Sequence, residues 1–575
     1  PPRSTPLYSS AASDVYKRQD LEIPYCWVFP VTTEAADTVE GLPTEVLIET
    51  SMDNYASMME NPEDASIEVE RVVKKRFATR LKKAMVKNRF PSGHNSKMAI
   101  IIKTKDDGTV KRRTIVDLRR SGANAAARVF ERVVLPRLGD AVWMMVNFLR
   151  LLITMSIWAP GQTLPHDFGV ELVSGDFSDA YYHFRVAKEE LKHCLSPDVR
   201  YVPEGEVSSV PFARMPIPLE TMLLWCHMCF GLKAAPLLWC RFAAAVGRLL
   251  SGMFATYESM QQLYLDDPLL IVAGSTEQRR YLIAMYFLTI RMLGVGMAWH
   301  KAARGLQLIW IGVLFKLNLE AGTVMVTLPE KTVALLKSEA AAIRTQSVGA
   351  GARLRTYTGK LCWVAGVLPR VRWVVRIFYA VLAKHEREVK SRKRRGVKRR
   401  MPEHLVHTKR MALALVWIAT FWGANQMLLT RTYHVYDLAK DLAIVTDASP
   451  WGVGAVLVHL STGKVLEAIE SALTPQDEDE LGLKIGDPAG QGIVELLAFW
   501  VALKKWIRYF AHRRRIPMLR ADSMAALGAA RKYASPTPSM NHLGGELGLL
   551  LEIHDVPAPV SAHLPGKLND AADFL

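Results

Sequence analysis

Two short apolar runs that flank a pair of adjacent acids constrain the fold of this chain more than any other feature. The runs are residues 263–265 (LYL) and 269–273 (LLIVA), and the acids between them are Asp266 and Asp267. Apolar runs of this length on either side of a tight turn predict a β-hairpin with both carboxylates at its tip. Adjacent carboxylates repel each other, and a fold tolerates them mainly where a divalent cation lies between them. The alternative is a surface turn with two solvated acids.

A third acid, Asp176, leaves another apolar stretch much earlier in the chain, within VSGDFSDAY at residues 173–181. Carboxylates that leave two different strands and converge on a pair of Mg²⁺ ions are the apparatus of nucleotidyl transfer. If the strand continues past this acid, a period of two places Asp176, Ser178 and Ala180 on one face. Together the two segments predict a metal-dependent site.

The composition is that of a large globular protein with a polyanionic partner. Half of the 575 residues are apolar and 22% are charged, which excludes a largely disordered chain. This length corresponds to about three or four domains. The net charge of +17 favours nucleic acid as the partner, ahead of an anionic membrane, although a basic protein with neither partner has the same charge.

The cysteines and the most apolar stretch indicate an intracellular protein, in the cytoplasm, the nucleus or both. Six cysteines in so long a chain do not form a secreted disulfide framework. Cys226 and Cys229 have zinc-ligand spacing but no second such pair, so buried, reduced thiols are expected. Residues 142–158 are apolar but interrupted by Asn147 and Arg150, so we expect a core helix there and no membrane partner.

Periodicity predicts the local structure around these motifs. Charged and apolar residues alternate at helical spacing over residues 67–89 and predict a basic amphipathic helix. Residues 98–103 and 113–118 predict a pair of strands. Later segments predict helices at residues 329–383, 411–429 and 494–506, and strands at 443–447 and 519–522.

The two ends of the chain predict a fragment of a polyprotein. Residues 10–19 (SAASDVYKRQ) look like translated sequencing-adapter sequence, so residues 1–19 are interpreted as a non-native leader. Residues 572–575 (ADFL) fall inside a predicted helix, so the last domain is expected to be truncated.

In order and spacing, the motifs resemble those of a retrotransposon reverse transcriptase with a C-terminal ribonuclease H. Asp176-x-x-x-Ala180-Tyr181 resembles the first palm motif, residues 230–236 (FGLKAAP) the second and residues 264–267 (YLDD) the third. Residues 294–301 and 308–312 resemble the fourth and fifth motifs, and residues 105–119 the fingers strand pair. Each motif alone is weakly specific, whereas this many in one order are strongly specific.

The resemblance implies a role for each of these residues. Asp176 and Asp266 would hold two Mg²⁺ ions with the support of Asp267, and Mn²⁺ would be a substitute. The ring of Tyr181 would exclude a 2′-hydroxyl and favour dNTPs, and Asp179 would belong to the triphosphate region. The other implied substrate-binding residues are Lys105 and Arg113 as a phosphate clamp, Phe230, Gly231 and Pro236 as a platform for the nascent base pair, and Lys301 as proton donor to the pyrophosphate. Ordinary core packing of Tyr181 and a surface position for Lys301 are the alternatives.

A second group of acids follows near the end of the chain. Asp447, Glu495, Asp522 and Asp573 resemble the ribonuclease H set, with His563 assisting, and scattered surface acids are the alternative. The resemblance implies two Mg²⁺ ions at this site and the activation of water to cut the RNA strand of an RNA–DNA hybrid.

The expected architecture is an α+β polymerase right hand followed by an α/β ribonuclease H-like domain. Its expected order is an N-terminal segment (20–70), fingers and palm (71–328), a thumb (329–383), a basic linker and connection (384–442) and a truncated ribonuclease H-like domain (443–575). Residues 384–400 contain ten Lys or Arg against two Glu, which suits a solvated linker, a nuclear localisation signal or template contact.

The expected function is RNA-directed DNA polymerisation with ribonuclease H activity, for retroelement replication. The expected partners are an RNA template, a DNA primer, the RNA–DNA hybrid and dNTPs. A decayed or domesticated RNA-binding scaffold that keeps both folds is the alternative, because Pro268 follows the paired acids where a strand normally has a hydrogen-bond donor. The second site argues against a telomerase or group II intron relative. Gypsy-like and tyrosine-recombinase retroelements both stay open, and residues 564–573 slightly favour the latter.

Overall fold

The structure of the protein is a computed structural model that describes residues 53–91, 93–104, 108–126, 133–162, 166–199, 221–254, 258–395, 402–423, 429–436, 438–513 and 515–565. It has a mixed α/β fold, as predicted. None of the helices in these ranges combines the length and the apolar character that a bilayer crossing needs. The buried apolar residues form separate clusters, so the two groups of acids rest on different cores.

Residues 53–328 form the elements that surround the paired acids. The strands are β1 Ala78–Lys82, β2 Met98–Thr104, β3 Val110–Val116, β4 Phe168–Ser174, β5 Leu195–Pro197, β6 Thr221–Trp225, β7 Ser259–Tyr264, β8 Asp267–Ser275, β9 Ala303–Gly305, β10 Gln307–Trp310, β11 Val313–Asn318 and β12 Thr323–Thr327. The helices are α1 Ala56–Met59, α2 Pro62–Lys74, α3 Lys83–Arg89, α4 Ala123–Ala126, α5 Leu138–Thr154, α6 Ala235–Met253 and α7 Thr276–Met292. Strands β7, β8, β4 and β9 form an antiparallel sheet in that order.

This central sheet forms where the sequence is most continuously apolar. Residues 269–273 of β8 are all buried, as in a strand that is covered on both faces. The side chain of Ser275 accepts a hydrogen bond from the Gln278 amide, and the Gln278 side chain accepts one from the Ser275 amide. This capping box starts α7 directly after β8, so the helix covers the sheet that carries the acids.

The helix predicted over residues 67–89 is interrupted in its middle by a strand at Ala78–Lys82, and the chain is helical again over Lys83–Arg89. Helix α2 ends at Lys74, and Arg76 has a φ of 60°, which breaks the helical path. Residues 78–82 pair instead with residues 221–225 as β1 and β6. A strand partner that is distant in sequence overrides the local spacing of charges, and periodicity does not detect such a partner.

The strand before Asp176 also ends earlier than predicted. Strand β4 stops at Ser174, Asp179 has a left-handed φ of 53°, and a short 3-10 helix covers Ala180–His183. The predicted alternation of Asp176, Ser178 and Ala180 on one strand face is therefore wrong. The Gly175 and Phe177 amides still donate to the Pro268 and Asp266 carbonyls in the register of β4 and β8, and the chain then turns at the left-handed Asp179.

The next part of the chain is mainly helical, as predicted. Its helices are α8 Glu330–Arg344, α9 Gly351–Val367, α10 Arg372–Arg395 and α11 Ala412–Phe421, and its strands are β13 Val348–Ala350, β14 Leu405–His407 and β15 Thr430–His434. Helix α10 continues through Lys384, so the expected basic linker begins inside a helix, in a run of helix-compatible residues with no Gly or Pro before Gly396. The core helix expected over residues 142–158 is confirmed by α5, in which Phe148, Leu149 and Leu152 are fully buried.

The last part of the chain forms one five-stranded sheet covered by helices. The strands are β16 Leu442–Ser449, β17 Gly452–His459, β18 Val465–Ala472, β19 Met518–Ala521 and β20 Val560–His563. The helices are α12 Pro475–Leu481, α13 Gln491–Trp506, α14 Met524–Lys532 and α15 Pro538–Ile553. The strand order is β18-β17-β16-β19-β20, with the first three strands antiparallel and β16, β19 and β20 parallel. The predicted strand before Asp447, the helix that carries Glu495 and the strand before Asp522 are confirmed.

Candidate active sites: two clusters of acids

The paired acids lie at the tip of a tight β-hairpin, as predicted. Tyr264 pairs with Asp267, which leaves Leu265 and Asp266 as a two-residue turn. Turns of this length require a positive φ at one or both central residues, and here the residue is Leu265, with a φ of 52°. A leucine in this region is strained, and such strain is concentrated at functional sites.

Backbone hydrogen bonds bring Asp176 to this hairpin tip. The Phe177 amide donates to the Asp266 carbonyl at 2.8 Å, and the Gly175 amide donates to the Pro268 carbonyl at 3.2 Å. On the other side, the Ala298 amide donates to the Asp176 carbonyl at 2.8 Å. Asp176 therefore leaves β4 between the hairpin and the segment before Lys301.

Burial and mutual repulsion raise the pKa values of the paired acids. The pKa of Asp267 is raised to about 7, first by burial and then by the charges of Asp266 and Asp176, while Lys301 opposes the shift. The pKa of Asp266 is also raised by burial and by Asp176, against the opposing charges of Lys301 and Arg113. The Lys301 ammonium forms an ion pair with the Asp176 carboxylate. Three carboxylates that repel one another and lie beside two cations form a site for charged ligands, and oxygen donors of this kind suit Mg²⁺.

Aromatic and basic side chains line one side of these acids. The Arg113 guanidinium lies 4.6 Å from the centre of the Phe230 ring, and the Tyr181 and Phe230 rings are 5.1 Å apart. The pKa of Tyr181 is raised by burial and by the charge of Asp266, and Arg113 opposes this shift. The structure thus brings Arg113, Tyr181 and Phe230 together beside the acids, and Lys105 lies outside the described residues.

The segment after Phe230 is held so closely that only glycine fits at position 231. Gly231 has a φ of 110°, and a Cβ atom there would lie 1.9 Å from the Val116 carbonyl oxygen. The Val116 amide donates to the Phe230 carbonyl at 2.8 Å, and Asn124 donates to the Gly231 carbonyl at 2.8 Å. Pro236 follows as the second residue of α6, as the sequence predicts for a helix start. No sequence pattern singled out Asn124, because a lone Asn carries no recognisable signal.

Pro268 costs the site one hydrogen bond. It faces Leu263 across β7, while its carbonyl accepts the hydrogen bond from Gly175 on the β4 side. A residue other than proline would also donate an amide towards β4. The position beside the turn limits the loss to this one bond, and the hairpin keeps its register.

The second cluster contains three of the four predicted acids. The parallel register of β16 and β19, with Val445 opposite Arg520, continues to bring Asp447 next to Asp522. Helix α13 places Glu495 against them, and one carboxylate oxygen from each residue lies within 4.8 Å of the others. Asp573 lies outside the described residues.

Glu495 is the most strongly perturbed acid of this cluster. Its pKa is raised to about 7 by burial, then by Asp522 and Asp447, while a hydrogen bond from Gln491 opposes the shift. Gln491 donates to the Glu495 carboxylate at 3.3 Å and also to the Ala448 carbonyl. Within the described ranges, the other Glu495 carboxylate oxygen is buried with no hydrogen-bond partner. Sequence analysis missed Gln491, although its position four residues before Glu495 on a helix is a usable signal.

His563 lies at the edge of this second cluster. It pairs with Ala521 across β19 and β20, next to Asp522, and its side chain is exposed. The donors of the cluster suit oxygen-preferring divalent cations, since three carboxylates are hard ligands and one of them is buried without a cationic partner. The five cysteines in the described part of the chain are free thiols, and Cys229 is buried.

Comparisons with known proteins find likeness only among solved structures. No protein-family profile and no curated protein matches the chain. A foamy viral protease–reverse transcriptase in complex with dsDNA aligns over 97% of this chain and 97% of its own, with 12% identity and a TM-score of 0.43. A foamy viral protease–reverse transcriptase in complex with RNA/DNA hybrid aligns over 90% of this chain and 55% of its own, with 13% identity and a TM-score of 0.42. At these values the likeness assigns no activity, so the function is inferred from the residues of this chain.

Proposed function

We propose that this protein is an RNA-directed DNA polymerase that extends a DNA primer on an RNA template with dNTPs. The observation that carries the proposal is the convergence of Asp176, from one strand end, with Asp266 and Asp267, from a hairpin tip, so that the pKa of Asp267 is raised to about 7. Acids whose pKa values are strongly raised by burial and mutual repulsion are concentrated at functional sites. Asp176 and Asp266 would hold two Mg²⁺ ions with support from Asp267, and these ions would neutralise the charge that develops on the attacking and leaving oxygens.

The neighbouring side chains suit binding of a triphosphate. Arg113 is held over the Phe230 ring, so its guanidinium is oriented beside the acids, where it binds phosphate oxygens. The Tyr181 ring packs against Phe230 and excludes a 2′-hydroxyl from the sugar position. Lys301 brings a proton donor to Asp176, at the place where pyrophosphate leaves.

We also propose ribonuclease H activity for the second cluster. Asp447, Glu495 and Asp522 would hold two divalent cations, which supply an activated water at neutral pH, together with Asp573. Gln491 holds one oxygen of Glu495, and the exposed His563 would shuttle protons at the edge of the cluster. The substrate is the RNA strand of an RNA–DNA hybrid. These activities together would serve replication of a gypsy-like or tyrosine-recombinase retroelement in the cytoplasm or nucleus.

A non-catalytic RNA-binding scaffold is the second candidate function. Pro268 favours it, because a proline at this position removes one hydrogen bond from the strand that carries Asp267. The buried, unpartnered oxygen of Glu495 favours the enzyme, since a chain released from selection for metal binding gains stability by losing this acid.

Primer extension decides between these functions at the first site. Incorporation of dTTP on poly(rA)/oligo(dT) with Mg²⁺ is measured for the protein and for Asp266→Asn. If the protein is a polymerase, the native chain incorporates dTTP and Asp266→Asn does not. Equal incorporation by the two proteins rules out the polymerase assignment. At the second site, cleavage of a labelled RNA–DNA hybrid that survives Asp447→Asn removes the ribonuclease H assignment.

A further inference from the structure

The loop that carries Asp176 is held from outside by helix α2. We call residues 176–183 the Asp176 loop. Within it, the Asp179 carboxylate accepts a hydrogen bond from the Arg71 guanidinium at 3.1 Å and forms an ion pair with Lys75. Arg71 lies in the last turn of α2, and Lys75 follows directly after this helix. Asp179 is the left-handed residue at which the loop turns into its 3-10 helix, so the two cations act on the bend itself.

Arg71 is itself fixed by a second acid. Its Nε and Nη2 atoms each donate to one carboxylate oxygen of Glu68, both at 2.8 Å, which leaves Nη1 for Asp179. The Glu68 side chain is only 4% exposed. A bidentate pair with a buried carboxylate is rigid, so Arg71 presents its third nitrogen to the loop in one orientation. This arrangement differs from an ordinary surface ion pair, in which both side chains are free to move.

The electrostatics of Asp179 agree with a permanent pair. Burial alone would raise its pKa, but Lys75 and Arg71 together hold the pKa of this carboxyl below its ordinary value. Asp179 is therefore ionised, and paired with both cations, throughout the neutral range.

A ring stack beside the ion pairs completes the contact. The Phe77 and Tyr182 rings are parallel within 3° with centroids 4.4 Å apart, and the Tyr182 amide donates to the Asp179 carbonyl at 2.8 Å. Tyr181 lies between these two anchored residues of the loop. Any displacement of Asp179 therefore moves the Tyr181 ring, which packs on Phe230 beside Asp266.

We propose that Arg71 and Lys75 are positioning residues that set the sugar discrimination of the polymerase site by holding Asp179. This inference rests on the proposed function and deepens it. In this proposal the two cations act through Asp179 and fix the loop whose Tyr181 ring excludes the 2′-hydroxyl. Their loss widens the sugar position and misplaces Asp176. We therefore expect KM for the nucleotide to rise by a larger factor than kcat falls.

The test compares Arg71→Met/Lys75→Met with Asp64→Asn in the full chain. Asp64 is a matched control because it lies in the first turn of the same helix, α2, and also forms an ion pair. Its partner is Arg112, at 2.5 Å. We expect the double variant to raise KM for dTTP and to reduce the preference for dTTP over UTP, each by about tenfold or more, since small misplacements at a reacting centre have effects of this size. Asp64→Asn and the conservative Lys75→Arg are expected to stay close to the native preference.

An unchanged dTTP-to-UTP preference in the double variant, or an equal loss in Asp64→Asn, overturns the inference. Amide hydrogen exchange of residues 176–183 gives a readout that needs no activity. We expect faster exchange in the double variant and native exchange in Asp64→Asn, and identical exchange in all three proteins also overturns it. If the native chain incorporates no nucleotide, the proposed function fails while hydrogen exchange still decides whether α2 positions the loop.

Discussion

At the first site, Lys301 and Arg113 oppose the rise in acid pKa that burial and repulsion cause, whereas at the second site only the Gln491 side chain does so for Glu495. The first group of acids is carried by a loop and a hairpin tip. The second is carried by two strands and a helix, and its ligand atoms lie within 4.8 Å of one another.

This difference follows from what each site is proposed to bind. A site for a triphosphate gains from cations of its own, because the substrate brings several negative charges. A site that cuts a hybrid receives only one reacting phosphate, so its charge balance depends more strongly on bound metal ions. The contrast therefore predicts that the second site is the more sensitive to the removal of metal, and the first to the removal of a basic side chain.

The largest expected effect is the separation of the two activities by single acids. Asp176→Asn should reduce primer extension by about a thousandfold and leave hybrid cleavage intact, and Asp522→Asn should do the reverse. The reason is that each residue lies in one group of acids, on its own hydrophobic core. Both activities are measured on the same preparations, with thermal unfolding as the control for folding. Loss of both activities in either variant would show that the two sites are not independent.

Removal of the cation at the first site should have the next largest effect. Lys301→Met leaves Asp176 without its ion-pair partner and removes the proposed proton donor, so we expect primer extension to fall by about a hundredfold. Lys301→Arg keeps the charge and should retain most of the binding of dNTP. Hybrid cleavage should not change in either variant. A Lys301→Met protein with native extension rates would mean that this lysine is an ordinary surface residue.

Sequence reasoning located the acids because they follow strong local patterns. Apolar runs on both sides of Asp266 and Asp267 predict the hairpin, and the apolar helix around Glu495 predicts one buried acid. The structure agrees in both places, because local pattern and tertiary burial favour the same element there.

The parts that sequence reasoning missed depend on distant contacts. Residues 78–82 form a strand because residues 221–225 pair with them, and the chain after β4 turns at Asp179, which is held by the distant Arg71 and Lys75. The pairing of Arg71 with Asp179 joins residues far apart in the chain, and nothing in either local sequence indicates it. Lys105 and Asp573 lie outside the described residues, so their proposed roles stay predictions.

The platform beside the first site offers a test of backbone fit. Gly231→Ala places a Cβ atom in contact with the Val116 carbonyl at a φ of 110°, so we expect the free energy of unfolding to fall by about 2 to 3 kcal/mol. Gly252→Ala is the matched control, because its Cβ would meet no atom within 4 Å and it lies in helix α6. Denaturant unfolding measures both. If the two variants are equally stable, the close approach at Gly231 is not rigid.

The smallest effect that we predict is the pH dependence of stability, which compares the two sites directly. The folded-state pKa values of Asp267 and Glu495 are both raised to about 7, so between roughly pH 4.5 and pH 7 the folded chain binds more protons than the unfolded chain. Stability should therefore fall as the pH rises through this window in EDTA, and Mg²⁺ should restore it above pH 7 by binding only the folded state.

Glu495→Gln should reduce this fall in the free energy of unfolding by about 1 to 2 kcal/mol, since it deletes the buried acid whose pKa no basic side chain lowers. Asp267→Asn should remove at least as much, because the pKa of Asp267 also reaches about 7 but starts from the lower ordinary value of an aspartate. Urea unfolding of the three proteins at pH 5 and pH 7.5 measures these differences, and a pH dependence that neither substitution changes would mean that these acids are not raised in the folded state.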